Sequence, residues 1–142
     1  MSVGQADITI EVAAAVIVKH GRLLLVRKRG TSAFILPGGK PESGESDLQC
    51  LAREMREELA ATIDTDAAFL GAFEAEAANE PGRRVLARAY LLYLLNEPMA
   101  AGEIEKVIWC DIRKPREHYV LAPLVLDAIL PRLQPRRRRE MS

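Results

Sequence analysis

Glu54, Glu57 and Glu58 place three carboxylates within five residues, in the stretch Arg53-Glu54-Met55-Arg56-Glu57-Glu58. On a helix each residue advances about 100°, so Glu57 and Glu58 flank Glu54 within an arc of roughly 100°. Leu48, Leu51, Ala52, Met55 and Leu59 make a separate apolar stripe, which leaves one face for a core and another for the acids. Asp47 is expected to point the same way as the acids, and Glu45 to lie just before the helix. Carboxylates this close repel one another unless a cation sits among them. Hard divalent ions such as Mg²⁺ and Mn²⁺ take such oxygen ligands together with water and phosphate. A solvated acidic face is the competing reading, and two features count against it. The acids stand near a helix C-terminus, where the backbone dipole is already negative and a carboxylate costs about a few tenths of a kcal/mol. The pair Arg53–Glu57 also runs in the weaker order, with the cation N-terminal to the anion.

The loop before this helix reads Leu36-Pro37-Gly38-Gly39-Lys40-Pro41-Glu42-Ser43-Gly44-Glu45-Ser46. Pro37 fixes one backbone angle, while Gly38 and Gly39 free the next ones, so backbone groups can approach an anionic ligand. Alone this turn is a weak signal. Its spacing to the acids is not: five residues separate Gly39 from Glu45, and seven more lead to Arg53-Glu54. Aliphatic Met55, one spacer and Glu57-Glu58 then follow.

This pattern closely resembles the Nudix box, the signature of the Nudix hydrolase family, over Gly39 to Ala61, 23 of the 142 residues. One position departs: Ala60 and Ala61 stand where the family has glycine and then an aliphatic residue, so the helix is expected to run on by a residue or two. The resemblance implies an α/β fold, an α/β/α sandwich with a mixed β-sheet between helices. It implies hydrolysis of a phosphoanhydride bond in a nucleoside diphosphate linked to another group, with Mg²⁺ as cofactor or Mn²⁺ as substitute. A nucleoside triphosphate, modified or not, is the expected substrate. ADP-ribose, another nucleoside-diphosphate sugar, or nucleotide sensing without catalysis are the alternatives. By similarity Glu54, Glu57 and Glu58 hold metal, Glu45 and Gly39 assist, and Arg53 orients the glutamates by charge-assisted hydrogen bonds. Gly38 and Gly39 shape the phosphate site. A carboxylate takes the proton from water, and Glu103 and Glu105 are loop candidates beside the box acids.

The elements that position these groups follow from the apolar pattern. Ile8–Lys19 and Leu23–Arg29 read as a hairpin about His20-Gly21. Residues 30–47 form a Gly/Pro/Ser-rich loop, and Leu48–Leu59 the helix, capped by Ser46 or Asp47. Ala67–Phe73, Arg84–Leu95 and Val107–Ile112 read as strands, and Leu124–Leu133 as a closing helix. Strands around one central helix, then a last helix, point to a mixed sheet with helices on its faces. Arg27 and Lys28 end the second strand facing opposite sides. Arg27 is the candidate for substrate phosphate, and Phe34 for stacking on a base, with core packing its competing role. Trp109 reads as core, and neither His20 nor His118 is assigned a role.

The chain length fits one domain, 1–134, followed by a basic tail, 135–142. Four arginines fall in that tail; without it sixteen basic residues face nineteen acidic ones. An acidic body argues against a general nucleic-acid binder. Cys50 and Cys110 lie in apolar stretches and read as buried thiols, not a disulfide framework. Neither a signal peptide nor a membrane span is read, so a cytoplasmic protein is expected, with a small-molecule nucleotide as partner and no nucleic acid or membrane. A homodimer is compatible with the pattern.

Overall fold

The structure, a computed structural model, describes residues 8–134. The basic tail therefore lies outside the described residues. The described residues form seven strands: β1 (Ile8–Val16), β2 (Val18–Lys19), β3 (Arg22–Lys28), β4 (Gly38–Gly39), β5 (Ala68–Glu76), β6 (Arg83–Leu91) and β7 (Ile104–Asp111). The helix α1 spans Asp47–Leu59. The strands divide between two sheets within the expected α/β/α sandwich. A four-stranded mixed sheet runs β4-β1-β6-β5, and a three-stranded antiparallel sheet runs β2-β3-β7. The parallel pair is β1 with β6, in register from Ile8↔Arg83 to Val16↔Leu91.

Side-chain alternation along two strands builds the sandwich. Ala13, Ala15 and Ile17, with Leu24 and Val26, pack against Cys50, Leu51, Met55 and Leu59 of α1. Ala14 and Val16, with Leu23 and Leu25, face the other way, against Val125, Ile129 and Leu130 of the closing helix. A period of two is what sends neighbouring residues to opposite faces. Strands buried on both faces read as continuous apolar runs, which is why Ala-Ala-Ala-Val and Leu-Leu-Leu-Val occur here. Each fully buried leucine contributes about 1.5–3 kcal/mol. Cys50 and Cys110 are buried free thiols, as expected.

Several expected boundaries are corrected. The first strand breaks at Ile17, whose carbonyl accepts from Leu24 N–H at 2.9 Å. The strand expected to end at Phe73 continues to Glu76, held by pairing with β6 as far as Glu76↔Arg84. The next strand ends at Leu91, not Leu95, because the chain then turns to the segment that follows α1, where Leu95 N–H donates to Thr62 O at 2.8 Å. The last strand starts earlier, at Ile104, paired with Lys28 across a bulge. The closing helix is a π-helical turn, Leu124–Ile129, followed by α2 (Leu130–Leu133). Pro131 has no N–H to give Asp127, and Leu130 N–H reaches back to Val125 O, which widens the turn.

The helix itself carries three corrections. Leu48, placed on the core stripe by sequence, is 38% exposed, and Cys50 takes its place in the core. Asp47 does not join the acids: it accepts from Arg88 Nε at 2.9 Å, Arg88 Nη2 at 3.1 Å and Tyr90 Oη at 2.7 Å, on β6. The helix does not run on past Leu59. Ala60 adopts the left-handed conformation, φ 51° and ψ 39°, that glycine normally supplies. Ala61 N–H closes the turn on Met55 O, and Asn96 Nδ2 donates to Ala60 O at 3.0 Å.

Candidate active site

A capping box starts α1. Gln49 N–H donates to Ser46 Oγ at 3.1 Å, and Ser46 N–H donates to Gln49 Oε1 at 2.9 Å. From this fixed start the helix carries its acids to a cavity of about 840 Å³ beside Gly38 and Gly39. The cavity is lined at that end by Lys28, Arg53, Glu54, Glu57, Glu58 and Glu103. The glycines are required there. Gly38 has φ 147°, and a Cβ on it would strike Ala13 O; a Cβ on Gly39 would strike the Glu54 carboxylate.

The three glutamates are not equivalent. Glu58 lies seven residues after Leu51, so it falls on the rim of the core stripe, not away from it as the acid face suggested. It is only 7% exposed, and its Oε1 accepts from Gly38 N–H at 3.3 Å. Burial, reinforced by the neighbouring Glu54 charge, pushes its carboxyl up to about 8. The Gly38 N–H and the Lys28 charge oppose that rise. Glu57, by contrast, is largely exposed.

Arg53 organises the entrance. Its Nε and Nη2 each donate to Glu45 at 2.8 Å, its Nη1 donates to Glu54 Oε2 at 3.0 Å, and its Nη2 donates to Lys40 O at 3.2 Å. Glu57 Oε1 is 3.5 Å from Nη1. The hydrogen bonds from Arg53, with the Glu42 N–H, hold the Glu45 carboxyl at about 2, well below its ordinary 4.5. Glu45 is thus an ionised partner of Arg53, which in turn steadies Glu54.

Four sequence candidates fall outside the cavity lining: Glu45, held by Arg53, and Arg27, Phe34 and Glu105. Arg27 donates to Glu105 Oε1 and Thr31 O, both at 2.9 Å, and its guanidinium lies 5.7 Å from the Phe34 ring. Phe34 is 5% exposed, packed edge-on against Tyr119 at 5.1 Å. Lys28, the next residue along β3, lines the cavity in place of Arg27. Of the two loop acids, Glu105 is engaged by Arg27 while Glu103 lines the cavity. The loop holding Glu103 is fixed to the end of α1. Met99 N–H donates to Leu59 O and Ala101 N–H to Glu58 O, each at 2.9 Å. Sequence spacing offered this loop's acids but not its docking on the helix end, which it caps from forty residues away. It also missed Asn79, a lining residue that ties the β5–β6 loop to the backbone of Ala33.

The donor set suits a hard divalent ion. Two adjoining carboxyls, Glu54 and buried Glu58, share one side of a glycine-floored cradle, and burial leaves Glu58 needing either a proton or a cation. Among the described residues no three acidic, histidine or cysteine side chains yet converge on one point. Arg53 draws Glu54 toward Glu45, and Glu57 extends into solvent.

Comparison with known proteins places this arrangement. The chain matches the NUDIX domain family model over residues 8–128. The CTP pyrophosphohydrolase of Escherichia coli (strain K12) is 33% identical over 119 residues, 80% of this chain and 84% of that protein. A MutT NUDIX hydrolase from Burkholderia pseudomallei has the same fold with a TM-score of 0.64 at 26% identity, over 74% of this chain and 84% of that one. A NUDIX hydrolase from Nitrosomonas europaea gives 0.66 at 27% identity over 82% of each chain.

Proposed function

The chain belongs to the Nudix hydrolase family, and we infer that it is a Mg²⁺-dependent pyrophosphohydrolase acting on a nucleoside triphosphate. The observation that carries this reading is the buried Glu58 set against Glu54 at the glycine-floored end of the cavity. Glu54, Glu57 and Glu58 are the residues that would hold the metal. When bound there, Mg²⁺ or Mn²⁺ supplies charge neutralisation at the diphosphate oxygens and a more acidic water.

The chain's own groups do the rest. Lys28 directs its ammonium to the phosphates from the cavity wall. Arg53 keeps Glu54 oriented, with Glu45 as its fixed counter-anion. Glu103 lines the same cavity as the box acids and is the carboxylate we assign to accept the proton of the attacking water. Glu105, tied to Arg27, is not placed to do so.

The E. coli relative's name makes CTP one substrate to try. The test is release of pyrophosphate and phosphate from a panel of normal and oxidised (d)NTPs, CTP, ADP-ribose and dinucleoside polyphosphates with Mg²⁺. Turnover of a triphosphate that disappears in Glu58→Gln, with the fold intact by circular dichroism, supports the assignment. Full activity in Glu58→Gln would overturn the metal site, and preference for ADP-ribose would overturn the substrate class.

A further inference from the structure

The chain between β6 and β7 reaches the cavity at Gly102 and Glu103. On one side it is fastened to the last turn of α1, where Met99 N–H donates to Leu59 O and Ala101 N–H to Glu58 O, both at 2.9 Å. On the other it is fastened to the end of β3. There Arg29 N–H donates to Glu103 O at 2.9 Å, and Arg29 Nη1 donates to Gly102 O at 3.4 Å. Between these two attachments Gly102 lies against the helix. Its φ is 56°, and a Cβ on it would stand 2.9 Å from the Glu57 carbonyl oxygen, closer than a methyl group approaches a backbone oxygen. Ala60 holds a φ of 51° in this same protein, so it is the contact more than the dihedral that reserves position 102 for glycine. The pairing of β3 with β7 then decides which acid reaches the cavity. Arg27 stands opposite Lys106 and Lys28 opposite Ile104, which leaves Glu105 as the extra residue of a bulge. In an unbroken register Glu105 would stand opposite Lys28 and share its face. The bulge gives Glu105 to Arg27 instead and leaves Glu103 beside the cavity.

Resting on the assignment of Glu103 as proton acceptor, we propose that Gly102 is the positioning residue for that carboxylate, seating its loop on the end of α1 so that loop and helix turn form one rigid piece. Glu57 and Glu58 take part twice. Their carboxylates belong to the proposed metal set, and their carbonyls meet the loop, Glu58 O as acceptor from Ala101 and Glu57 O against Gly102. The spacing between those carboxylates and the proton acceptor is thereby set by short backbone contacts before substrate arrives. Such spacing carries rate: a positioned proton acceptor contributes about 10²–10⁴-fold, and a misplacement of about 1 Å costs about 10²-fold. A side chain at position 102 would lift the loop off Glu57 O. Glu103 is the next residue, so the displacement reaches it first. The helix is anchored independently through its fully buried Leu51, Met55 and Leu59.

The experiment is a double-mutant cycle of Gly102→Ala with Glu103→Gln on the full chain. It is read as kcat and KM with Mg²⁺ on the nucleotide of the panel above that the native chain turns over fastest, and as Mn²⁺ affinity by calorimetry. We expect Gly102→Ala to lower kcat by about 10–100-fold, with KM within about threefold and Mn²⁺ affinity within about twofold of native. In the Glu103→Gln background the same substitution should change kcat by less than about twofold, because no proton acceptor is left to misplace. An equal loss in both backgrounds, or a loss of Mn²⁺ affinity, would mean that Gly102 acts on the helix or the fold, and would overturn the proposal. Native kcat in Gly102→Ala beside a large loss in Glu103→Gln would also overturn it, leaving Glu103 as proton acceptor. Native kcat in Glu103→Gln would overturn the assignment of Glu103 and this inference with it, as would absence of turnover across the panel. Native-state hydrogen exchange needs no variant to fold. The Met99 and Ala101 amides should exchange about as slowly as those of the last turn of α1, and exchange at the free-chain rate would overturn the proposal.

Discussion

Arg53 grips Glu45 through two hydrogen bonds of 2.8 Å, from Nε to Oε2 and from Nη2 to Oε1, and reaches Glu54 with its remaining terminal nitrogen. This fork geometry belongs to a guanidinium alone; an ammonium cannot bridge two carboxylates in fixed directions. Lysine at position 53 would keep the charge and lose the orientation of Glu54. We expect Arg53→Lys to lower kcat by about 10–100-fold and to raise the Mg²⁺ concentration needed for half-maximal rate, with the melting temperature little changed. An unaltered Mg²⁺ dependence would count against a steering role.

Glu58 couples the site to pH. Its carboxyl is raised from 4.5 to about 8, so between those values the folded state binds a proton that the unfolded state has released. Stability from this group is complete below pH 4.5 and falls as pH rises through 8. Glu45 and Asp47 are lowered, so they are already ionised in both states across this window and add no slope there. The metal-free protein should melt at a lower temperature at pH 8 than at pH 5.5. Mg²⁺ should restore more at pH 8 than at pH 5.5, because there it meets the ionised carboxylate. Glu58→Gln should melt higher than the native chain at pH 8 without metal, even as its turnover is expected to be lost. Calorimetric scans at the two pH values, with and without Mg²⁺, check all three.

Much of this site could be read from the sequence, and the reason is local. Gly38, Gly39, Glu45, Arg53 and the three glutamates belong to one loop and one helix, where spacing fixes geometry. The alternation of Ala13-Ala14-Ala15-Val16 likewise announces a strand buried on both faces. What escaped depends on contacts distant in the chain. Asp47 looks like a member of the acid face until Arg88 and Tyr90, forty residues on, draw it to β6. Lys28 and Arg27 alternate along one strand, and only the Glu105 partner across β7 settles which of them turns from the cavity. Leu48 fits the apolar stripe by angle, yet it stands in the first turn and is exposed, while Leu51 and Met55 are fully buried.

The division between Lys28 and Arg27 is open to direct test. Lys28→Ala removes a cation from the cavity wall, and the loss of one charged hydrogen bond to phosphate is worth about 1.5–3 kcal/mol. We expect kcat/KM to fall by about 10–100-fold in Lys28→Ala. Arg27→Ala, which breaks a half-exposed pair with Glu105, should change it by less than about threefold. The reverse ranking in steady-state kinetics would return the phosphate contact to Arg27.

Asp47 ties the start of α1 to β6 through three hydrogen bonds, two of them from a guanidinium. Arg88 also binds Glu11 at 2.9 Å, so the helix, β6 and β1 meet at one cation. Asp47→Asn would leave Arg88 short of a counter-anion at a site largely shielded from water, at a cost of about 1.5–3 kcal/mol. The Arg88 hydrogen bonds hold the native Asp47 carboxyl below its ordinary 3.8. Its stabilisation is therefore complete above pH 3.8 and lost as pH falls below that value. Urea titrations at pH 7 and pH 3 should separate the native chain from Asp47→Asn at the first pH and narrow the gap at the second.

Ala60 ends the catalytic helix in a conformation that costs a residue with a Cβ about 1–2 kcal/mol. The turn forms nonetheless because its neighbours over-determine it. Ala60 N–H bonds Arg56 O, Ala61 N–H bonds Met55 O, and the loop from Met99 to Ala101 takes the Leu59 and Glu58 carbonyls. Glycine at this position would relieve the strain, and it would lose about 0.5–1 kcal/mol to the greater freedom of the unfolded chain. Ala60→Gly should therefore stabilise the protein by about 0.5–1 kcal/mol. Because Glu57 and Glu58 precede the turn and their backbone is already held by Ala101 and the hydrogen bonds of α1, kcat should stay within about twofold. A chevron of folding and unfolding rates in urea would locate the gain, and a destabilised variant would mean that the left-handed turn at Ala60 is not the strained element of this helix.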